Sequence, residues 1–407
     1  MIGINSTQEI AKFGHAARAD FWLITKTIIA FVLLGLTAVI ARASDPEVYK
    51  DYSGKSESEL IILHQNGDNH ATFTLGYDGL FDHAAQPKAI PQGVVESMSY
   101  LEQAHNSGHG DAHSALSIIY KFGLFEVPED FEKANNYSLE GAKRGSVVGK
   151  VNYGVDNVMS PNADIAKTAH DFLFEVAADD NVGAAANETL AKLYYFGSDV
   201  YEADYENARP FAESCVTFGR SEGRCEFLLA RDFENGWGGP KDSDRSAKLF
   251  EVSAQNGNVR SMWKTGMNYL NGVGLEKDEV QAFAWVKKSA NAGYTDGFIS
   301  LAVMHALGQG TKVDSKAAFE TYERAASLNS FHAVRGLSTM YCSGEAETRN
   351  DTLCAAGLII AYEKDDDMAG PLLNKFFEIT SNEELDVLRN KTAAGRATLI
   401  ARYDLKL

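Results

Sequence analysis

The sequence lacks the short motifs that identify several classes of enzyme. Its 407 residues contain no H-E-x-x-H zinc site and no C-x-x-C redox pair. Two glycine pairs resemble phosphate-binding loops, Gly272-Val273-Gly274 and Gly308-Gln309-Gly310. Both follow predicted helices rather than strands, and neither leads into G-K-[ST], so we interpret them as turns. We predict a protein that is not an enzyme and uses no cofactor.

Basic residues are scarce relative to acidic ones. The 38 Lys and Arg residues stand against 56 Asp and Glu, a net charge of −18. Residues 1–43 carry a net +2, so the rest of the chain carries −20. A field of that sign repels nucleic acid and anionic lipid, and it favours basic partners or cations. The sequence therefore predicts no nucleic-acid binding, although such charge is often only a solvated surface.

Long uncharged stretches are also rare, and the one that matters is close to the N-terminus. Fourteen uncharged residues run from Thr27 to Ile40 and are followed by Ala41-Arg42-Ala43, which is typical of a signal peptide over residues 1–43. The alternative is an uncleaved anchor from Phe21 to Ile40, which contains Lys26 and would be the protein's only membrane contact. Both predict a chain outside the cytoplasm: periplasmic or secreted, anchored facing outward, or in the endoplasmic reticulum lumen.

A repeat of 36 residues occupies the stretch from Cys225 to Cys354. Three columns of residues share this period: a ring column, a glycine column three residues later, and an Asp or Asn column six residues after the glycine. The members are Phe233, Tyr269, His305 and Tyr341; Gly236, Gly272, Gly308 and Gly344; and Asp242, Asp278, Asp314 and Asn350. A period of 20–50 residues is typical of stacked-repeat proteins.

Each repeat is predicted to contain two helices. The glycine ends the first helix in a left-handed conformation, and the Asp or Asn side chain caps the start of the second. Small residues recur three positions before the ring, at Ala230, Gly266, Ala302 and Ser338. They let neighbouring helices approach closely.

The clearest copy resembles the Sel1-like repeat, a relative of the tetratricopeptide repeat. It runs SMWKTGMNYLNGVGLEKDEVQAFAWVKKSANAG over residues 261–293 and departs from the family pattern at Leu275, where valine is usual. The resemblance covers about residues 60–364 and is weaker at 71–104 and 147–180. It implies an all-α, right-handed α/α superhelical solenoid whose concave groove binds a protein or peptide.

The regions around the array are predicted to be a linker and a cap. Residues 44–59 are polar and indicate a linker, and residues 60–364 form the array. Residues 365–407 are interpreted as a helical cap, with helices at Met368–Ile379 and Ser381–Asn390, since terminal repeats must close the core. Ser381 and Glu384 match a capping box, and the last seventeen residues could instead be a docking tail.

The four cysteines are an even number, and all follow the export signal. Cys215 and Cys225 end one predicted helix and begin the next, so a bridge would clamp adjacent repeats. Cys342 and Cys354 flank the turn of a predicted helix pair and would face each other. Two local disulfides fit an exported protein, and four buried thiols are the alternative.

Three histidines, His105, His109 and His113, are spaced four residues apart and are the only candidates for a metal site. On one continuous helix they would share a face. Gly108 and Gly110 interrupt that helix, and His64 precedes Ala71 as His105 precedes Ala112. We therefore interpret them as turn residues of the repeat, with metal binding as the alternative.

These patterns predict an exported interaction scaffold, with possible roles in envelope signalling or assembly. The alternative is a cell-wall-binding or β-lactam-hydrolysing protein, because the surroundings of Cys215 resemble those of cysteine-rich Sel1-like proteins.

Overall fold

The structure is a computed structural model that describes residue 52 and residues 54–85, 91–219, 222–345, 348–379 and 381–406. Within these ranges the chain forms twenty α-helices and no strand, which confirms the predicted all-α class. None of the helices in the described ranges is both long enough and apolar enough to cross a bilayer. The signal peptide or anchor predicted over residues 1–43 lies outside the described residues. Contacts divide the chain into two compact units, residues 1–221 and 222–407.

The first unit contains nine described helices. They are α1 (Glu57–Gln65), α2 (Asn69–Ala85), α3 (Pro91–Asn106), α4 (Gly110–Phe122), α5 (Phe131–Lys143), α6 (Val147–Asn157), α7 (Ala163–Glu175), α8 (Gly183–Phe196) and α9 (Tyr205–Phe218). From α2 onward they pack as four successive pairs. The first helix begins inside the predicted linker because Ser56 and Glu59 form a capping box there. The last runs three residues past Cys215, near which the sequence predicted its end.

The second unit contains eleven described helices. They are α10 (Arg224–Asn235), α11 (Ser243–Gln255), α12 (Val259–Asn271), α13 (Glu279–Asn291), α14 (Thr295–Leu307), α15 (Ser315–Ala326), α16 (Phe331–Ser343), α17 (Asp351–Glu363), α18 (Ala369–Phe377), α19 (Asn382–Lys391) and α20 (Ala393–Tyr403). The first eight pack as four pairs, and α17 also packs against α18 and α20.

The glycine and Asp/Asn columns lie at the ends of the paired helices in the second unit. The four glycines end α10, α12, α14 and α16 with φ between 69° and 75°. Each Asp or Asn side chain accepts a backbone N–H in the first turn of the next helix. Its own N–H donates to the carbonyl of the ring residue, as Asp278 does to Tyr269 at 2.9 Å. One capping residue therefore fixes the turn to both helices.

Small side chains let the paired helices approach closely. Ala230 and Ala302 are fully buried. A Cβ added to Gly266 in α12 would lie 2.6 Å from Cγ2 of Val286 in α13. Larger residues in this column would force the pairs apart, because packed interiors have no spare volume.

The C-terminal segment forms three helices, one more than the sequence predicted. Its second helix, α19, starts with the capping box of Ser381 and Glu384. The additional helix, α20, packs on α17 and reaches further back along the unit. Arg402 donates to the Tyr341 hydroxyl, and Tyr403 donates to Glu323, both at 2.9 Å. The final residues are therefore docked on the chain's own helices.

A buried carboxylate joins this segment to the last repeat. Asp366 is 3% exposed and lies 2.8 Å from His332 Nδ1 and 2.9 Å from Arg335 Nε. Burial raises the pKa of Asp366, but the hydrogen bonds from His332 and Arg335 outweigh it and leave the pKa below its usual range.

We expect Asp366→Asn to lower the free energy of unfolding at neutral pH by about 2 kcal/mol, because the partly buried Arg335 loses its counter-charge. A lowered folded-state pKa stabilises the fold above the unfolded pKa of about 4, and this stabilisation is lost as the pH falls through the folded value. Urea unfolding at several pH values should therefore show a steeper acid loss for the wild type than for the variant. Asp367→Asn, at an exposed neighbour, is the matched control.

The cysteines are all oxidised. Cys342 and Cys354 form a disulfide between α16 and the first turn of α17, with Cα atoms 5.1 Å apart. Cys215 and Cys225 are also buried and disulfide-bonded. No free thiol remains.

Candidate functional site

In the ring column, Phe233 and Tyr341 are buried, whereas the other two rings are partly exposed. Tyr269 and His305 in the second unit are half-buried at the ends of their helices. Two rings of the column contact a phenylalanine on the second helix of the preceding pair. His305 meets Phe283 edge-on with ring centroids 5.3 Å apart, and Tyr341 meets Phe319 edge-on at 5.4 Å. These pairs are 36 residues apart, so the repeat presents the same ring geometry at successive positions.

Charged groups beside the rings differ from repeat to repeat. The Tyr269 hydroxyl donates to Glu251 at 2.7 Å, and this bond raises the pKa of Tyr269 to about 12. Lys287 lies at the corresponding position beside His305, and burial is the main reason why the pKa of His305 is lowered. Tyr341 is only 2% exposed, since α20 covers it. The rings that remain accessible therefore have distinct electrostatic surroundings.

The first unit presents a larger aromatic surface around Tyr194 in α8. Tyr194 stacks on Phe211 of α9 with ring centroids 5.6 Å apart, and its hydroxyl lies 2.9 Å from His170 Nε2. His170 in turn stacks on Tyr201 at 5.2 Å. Phe174, one turn after His170 in α7, has 61% of its surface exposed and meets Phe211 edge-on. Five rings from two helix pairs thus form one continuous surface.

The three predicted metal-site histidines do not converge. His105 and His113 face each other at 4.2 Å and share Tyr137 as a neighbour. His109 points elsewhere, with its Nε2 2.9 Å from Nδ1 of His70. Gly108, at φ +86°, breaks the helix between them as the sequence indicated. Within the part of the chain that the structure describes, no group of three His, Cys, Asp or Glu side chains is arranged to hold a metal ion.

The turn that carries His109 borders a cavity of about 340 Å³. Its lining comes from the α1–α2, α3–α4 and α5–α6 connections and the residues beside them, and it includes His70, His109, Asp111, Arg144 and Ser146. Asp111 accepts a 2.6 Å hydrogen bond from the Ser146 hydroxyl, which ties two of the turns together. The cavity therefore has charges of both signs in its lining. The hydrogen bond between Asp111 and Ser146 stabilises the turns that form it.

Burial lowers the pKa of all three histidines. The effect is largest for His109, which burial and the nearby His70 and His113 bring to a pKa of about 4. The ring stacks on Phe73 at 4.6 Å, a contact that favours the neutral form.

We expect acidification to destabilise the first unit between about pH 6.5 and pH 4. Over this range an unfolded His109 binds a proton that the folded one does not, so folding becomes less favourable, by about 2 kcal/mol for a partly exposed ring. NMR titration of the His109 ring should give a midpoint far below pH 6. His109→Phe keeps the stack on Phe73 and should remove most of the loss; an unchanged acid transition would contradict this assignment.

Sequence reasoning missed the residues that complete the rings. Tyr120 and Tyr194 lie three residues before a glycine, as the ring-column residues do, and Tyr137 and Phe211 on the second helices were not among the predicted residues. The signal that could have identified them is a common spacing: Tyr137 follows Tyr120 by 17 residues, and Phe211 follows Tyr194 by the same number.

Comparison with known proteins identifies the repeats. The family profile described as Sel1 repeat matches residues 110–146, 184–209, 224–258, 259–294 and 299–330. The chitin synthase regulator SKT5 of Saccharomyces cerevisiae is 26% identical over 291 residues, which cover 70% of this chain but only 37% of the yeast protein.

One solved structure shares the fold at low identity, and a second gives a lower TM-score. A Sel1 repeat protein from Oxalobacter formigenes superimposes with a TM-score of 0.55 at 18% identity, covering 78% of this chain and 90% of that protein. A protective antigen of uropathogenic Escherichia coli with an SLR fold gives a TM-score of 0.49 at 18% identity, over 91% of this chain and 95% of the antigen. With matched repeats from residue 110 to residue 330 and this shared fold, the chain is a Sel1-repeat protein.

Proposed function

We propose that this protein is an exported, non-enzymatic scaffold that binds a protein or peptide through half-buried aromatic side chains on the first helices of its pairs. The observation that carries the proposal is the partial exposure of Tyr194, Tyr269 and His305, each of which lies three residues before the glycine that follows its helix. Half-buried aromatic side chains on rigid helices are the usual anchors of protein interfaces, because they offer a large contact area at a small entropic cost.

Export is supported by the signal-peptide pattern of residues 1–43 and by the oxidised cysteines. Disulfides persist in oxidising compartments and are rare in the cytoplasm. We place the protein in a bacterial periplasm, with a role in envelope signalling or assembly; the endoplasmic reticulum lumen is the other compartment compatible with these features. The yeast relative is named as a regulator of chitin synthase, and a regulator acts by binding, which supports a scaffold.

Capture from an envelope extract tests the proposal. The full chain should retain a partner in stoichiometric amount, and Tyr194→Ala or Tyr269→Ala should release it, since loss of an interface anchor costs about 2 kcal/mol or more. Phe376→Ala, at a half-exposed ring in the C-terminal segment, should leave capture unchanged. Equal capture by all variants would reject these aromatic side chains as the interface. Hydrolysis of nitrocefin by the purified chain would reject the scaffold in favour of an enzyme.

A further inference from the structure

The α4–α5 pair in the first unit supplies its own cation to an aromatic pair. Tyr120 stacks on Tyr137 with centroids 5.6 Å apart and 21° between the planes. Lys133 Nζ lies 3.9 Å from the centre of the Tyr120 ring and 2.6 Å from its hydroxyl oxygen. The hydrogen bond to Tyr120 raises the pKa of Lys133, so the charged form is favoured there. In the second unit Arg245 similarly lies 4.4 Å from the centre of Phe233.

The α8–α9 pair has the same aromatic pair without the cation. Tyr194 and Phe211 keep the 17-residue separation of Tyr120 and Tyr137 and are stacked with 3° between their planes. Thirteen residues after the ring, where the earlier pair has Lys133, this pair has Asn207. Asn207 instead donates to Asp204 at 2.7 Å. Among the described residues, no Lys or Arg lies over Tyr194 or Phe211.

The surroundings of this aromatic pair are negative. Burial and the carboxylate of Asp204 raise the pKa of Tyr194, and burial and Asp171 raise the pKa of Tyr201. The Asp171 side chain is 63% exposed and extends from α7 beside His170. Ring faces attract cations, and adjacent carboxylates strengthen that attraction.

We propose that the Tyr194 site, formed by His170, Phe174, Tyr194, Tyr201 and Phe211, binds a Lys or Arg side chain from a basic segment of a partner protein. The incoming cation takes the place that Lys133 occupies over Tyr120. This inference rests on the proposed scaffold function and names the chemistry of the partner. The net charge of −20 beyond residue 43 accelerates the encounter with such a segment, while the rings provide the contact.

A fluorescent pentalysine peptide, titrated into the full chain, tests the inference. Wild type should bind it, and Tyr194→Leu should weaken binding by about tenfold. Asn207→Lys should weaken binding by a similar factor, because the new lysine side chain would lie over Tyr194 and exclude the lysine of the peptide. Lys133→Asn should strengthen binding, since it exposes a second cation-free aromatic pair. Asn207→Lys leaves every ring in place, so it remains informative if Tyr194→Leu fails to fold.

Two controls separate the site from general charge attraction. Glu213→Gln, at an exposed position of the same helix, changes the net charge by as much as Asn207→Lys and should leave binding nearly unchanged. A peptide with every lysine acetylated should not bind. Equal weakening by Glu213→Gln would overturn the inference, and so would equal binding of the acetylated peptide, which would indicate an apolar occupant. If the peptide fails while a captured partner still depends on Tyr269, the basic-partner inference falls and the scaffold function stands.

Discussion

Replacing Gly310 by alanine is expected to lower the free energy of unfolding of the second unit by about 4 kcal/mol. Gly310 lies in the turn after α14 with φ +67°, a conformation that is strained for any residue with a Cβ. This turn rests directly on the start of α13. An added Cβ would overlap the carbonyl oxygen of Glu279 and lie 2.6 Å from its carbonyl carbon and 2.9 Å from Cβ of Phe283. Moving the backbone of a helix costs much free energy, so the turn at Gly310 would have to move away from α13.

Gly293→Ala is the matched control for this prediction. Gly293 also has positive φ, +88°, but an added Cβ would meet no atom within 4 Å. It should cost only about 1–2 kcal/mol, the strain of the left-handed backbone. Three of the four tryptophans, Trp237, Trp263 and Trp285, lie in the second unit, so fluorescence during urea unfolding reports on it. Equal destabilisation by the two variants would show that the close approach at Gly310 contributes nothing.

The sequence predicted the parts of this fold that depend on local geometry. Gly272 ends a helix and Asp278 starts one, and both functions are set by backbone conformation within a few residues. Such positions repeat with the chain's own period and can be located without a structure. The second glycine of the pair, Gly310, was visible only as part of a turn, because its contact with Glu279 joins residues 31 apart.

The aromatic surfaces could not be predicted in the same way. Tyr194 meets His170 from the preceding pair and Phe211 from its own, and the loops between these helices vary in length. The pairing of His109 with His70 likewise joins two turns that are 39 residues apart. Helical periodicity assigns a face to each residue, but the facing residue depends on how neighbouring pairs stack. The candidate site therefore required the tertiary structure, whereas the helix pairs did not.

Removing the Cys342–Cys354 disulfide is expected to lower the free energy of unfolding by about 3 kcal/mol. The bridge closes a loop with a sequence separation of 12 residues, and a loop of this size restricts the unfolded chain by about that amount. Both sulfur atoms belong to buried residues in the core shared by α16 and α17. The Cα separation of 5.1 Å lies in the usual range for a disulfide, so the folded pair accepts the bond without rearranging its helices.

The measurement compares urea unfolding of the oxidised wild type with that of the double variant Cys342→Ala and Cys354→Ala. The tryptophan signal should shift to lower urea in the variant, and adding reductant to the wild type should produce at least that shift. A variant lacking Cys215 and Cys225 is the matched control: it keeps the Cys342–Cys354 bond and should still respond to reductant. The result also bears on the compartment, because a bond that contributes about 3 kcal/mol is lost wherever thiols are kept reduced. Four titratable thiols in the untreated, denatured protein would contradict both the disulfide assignment and the proposal of export.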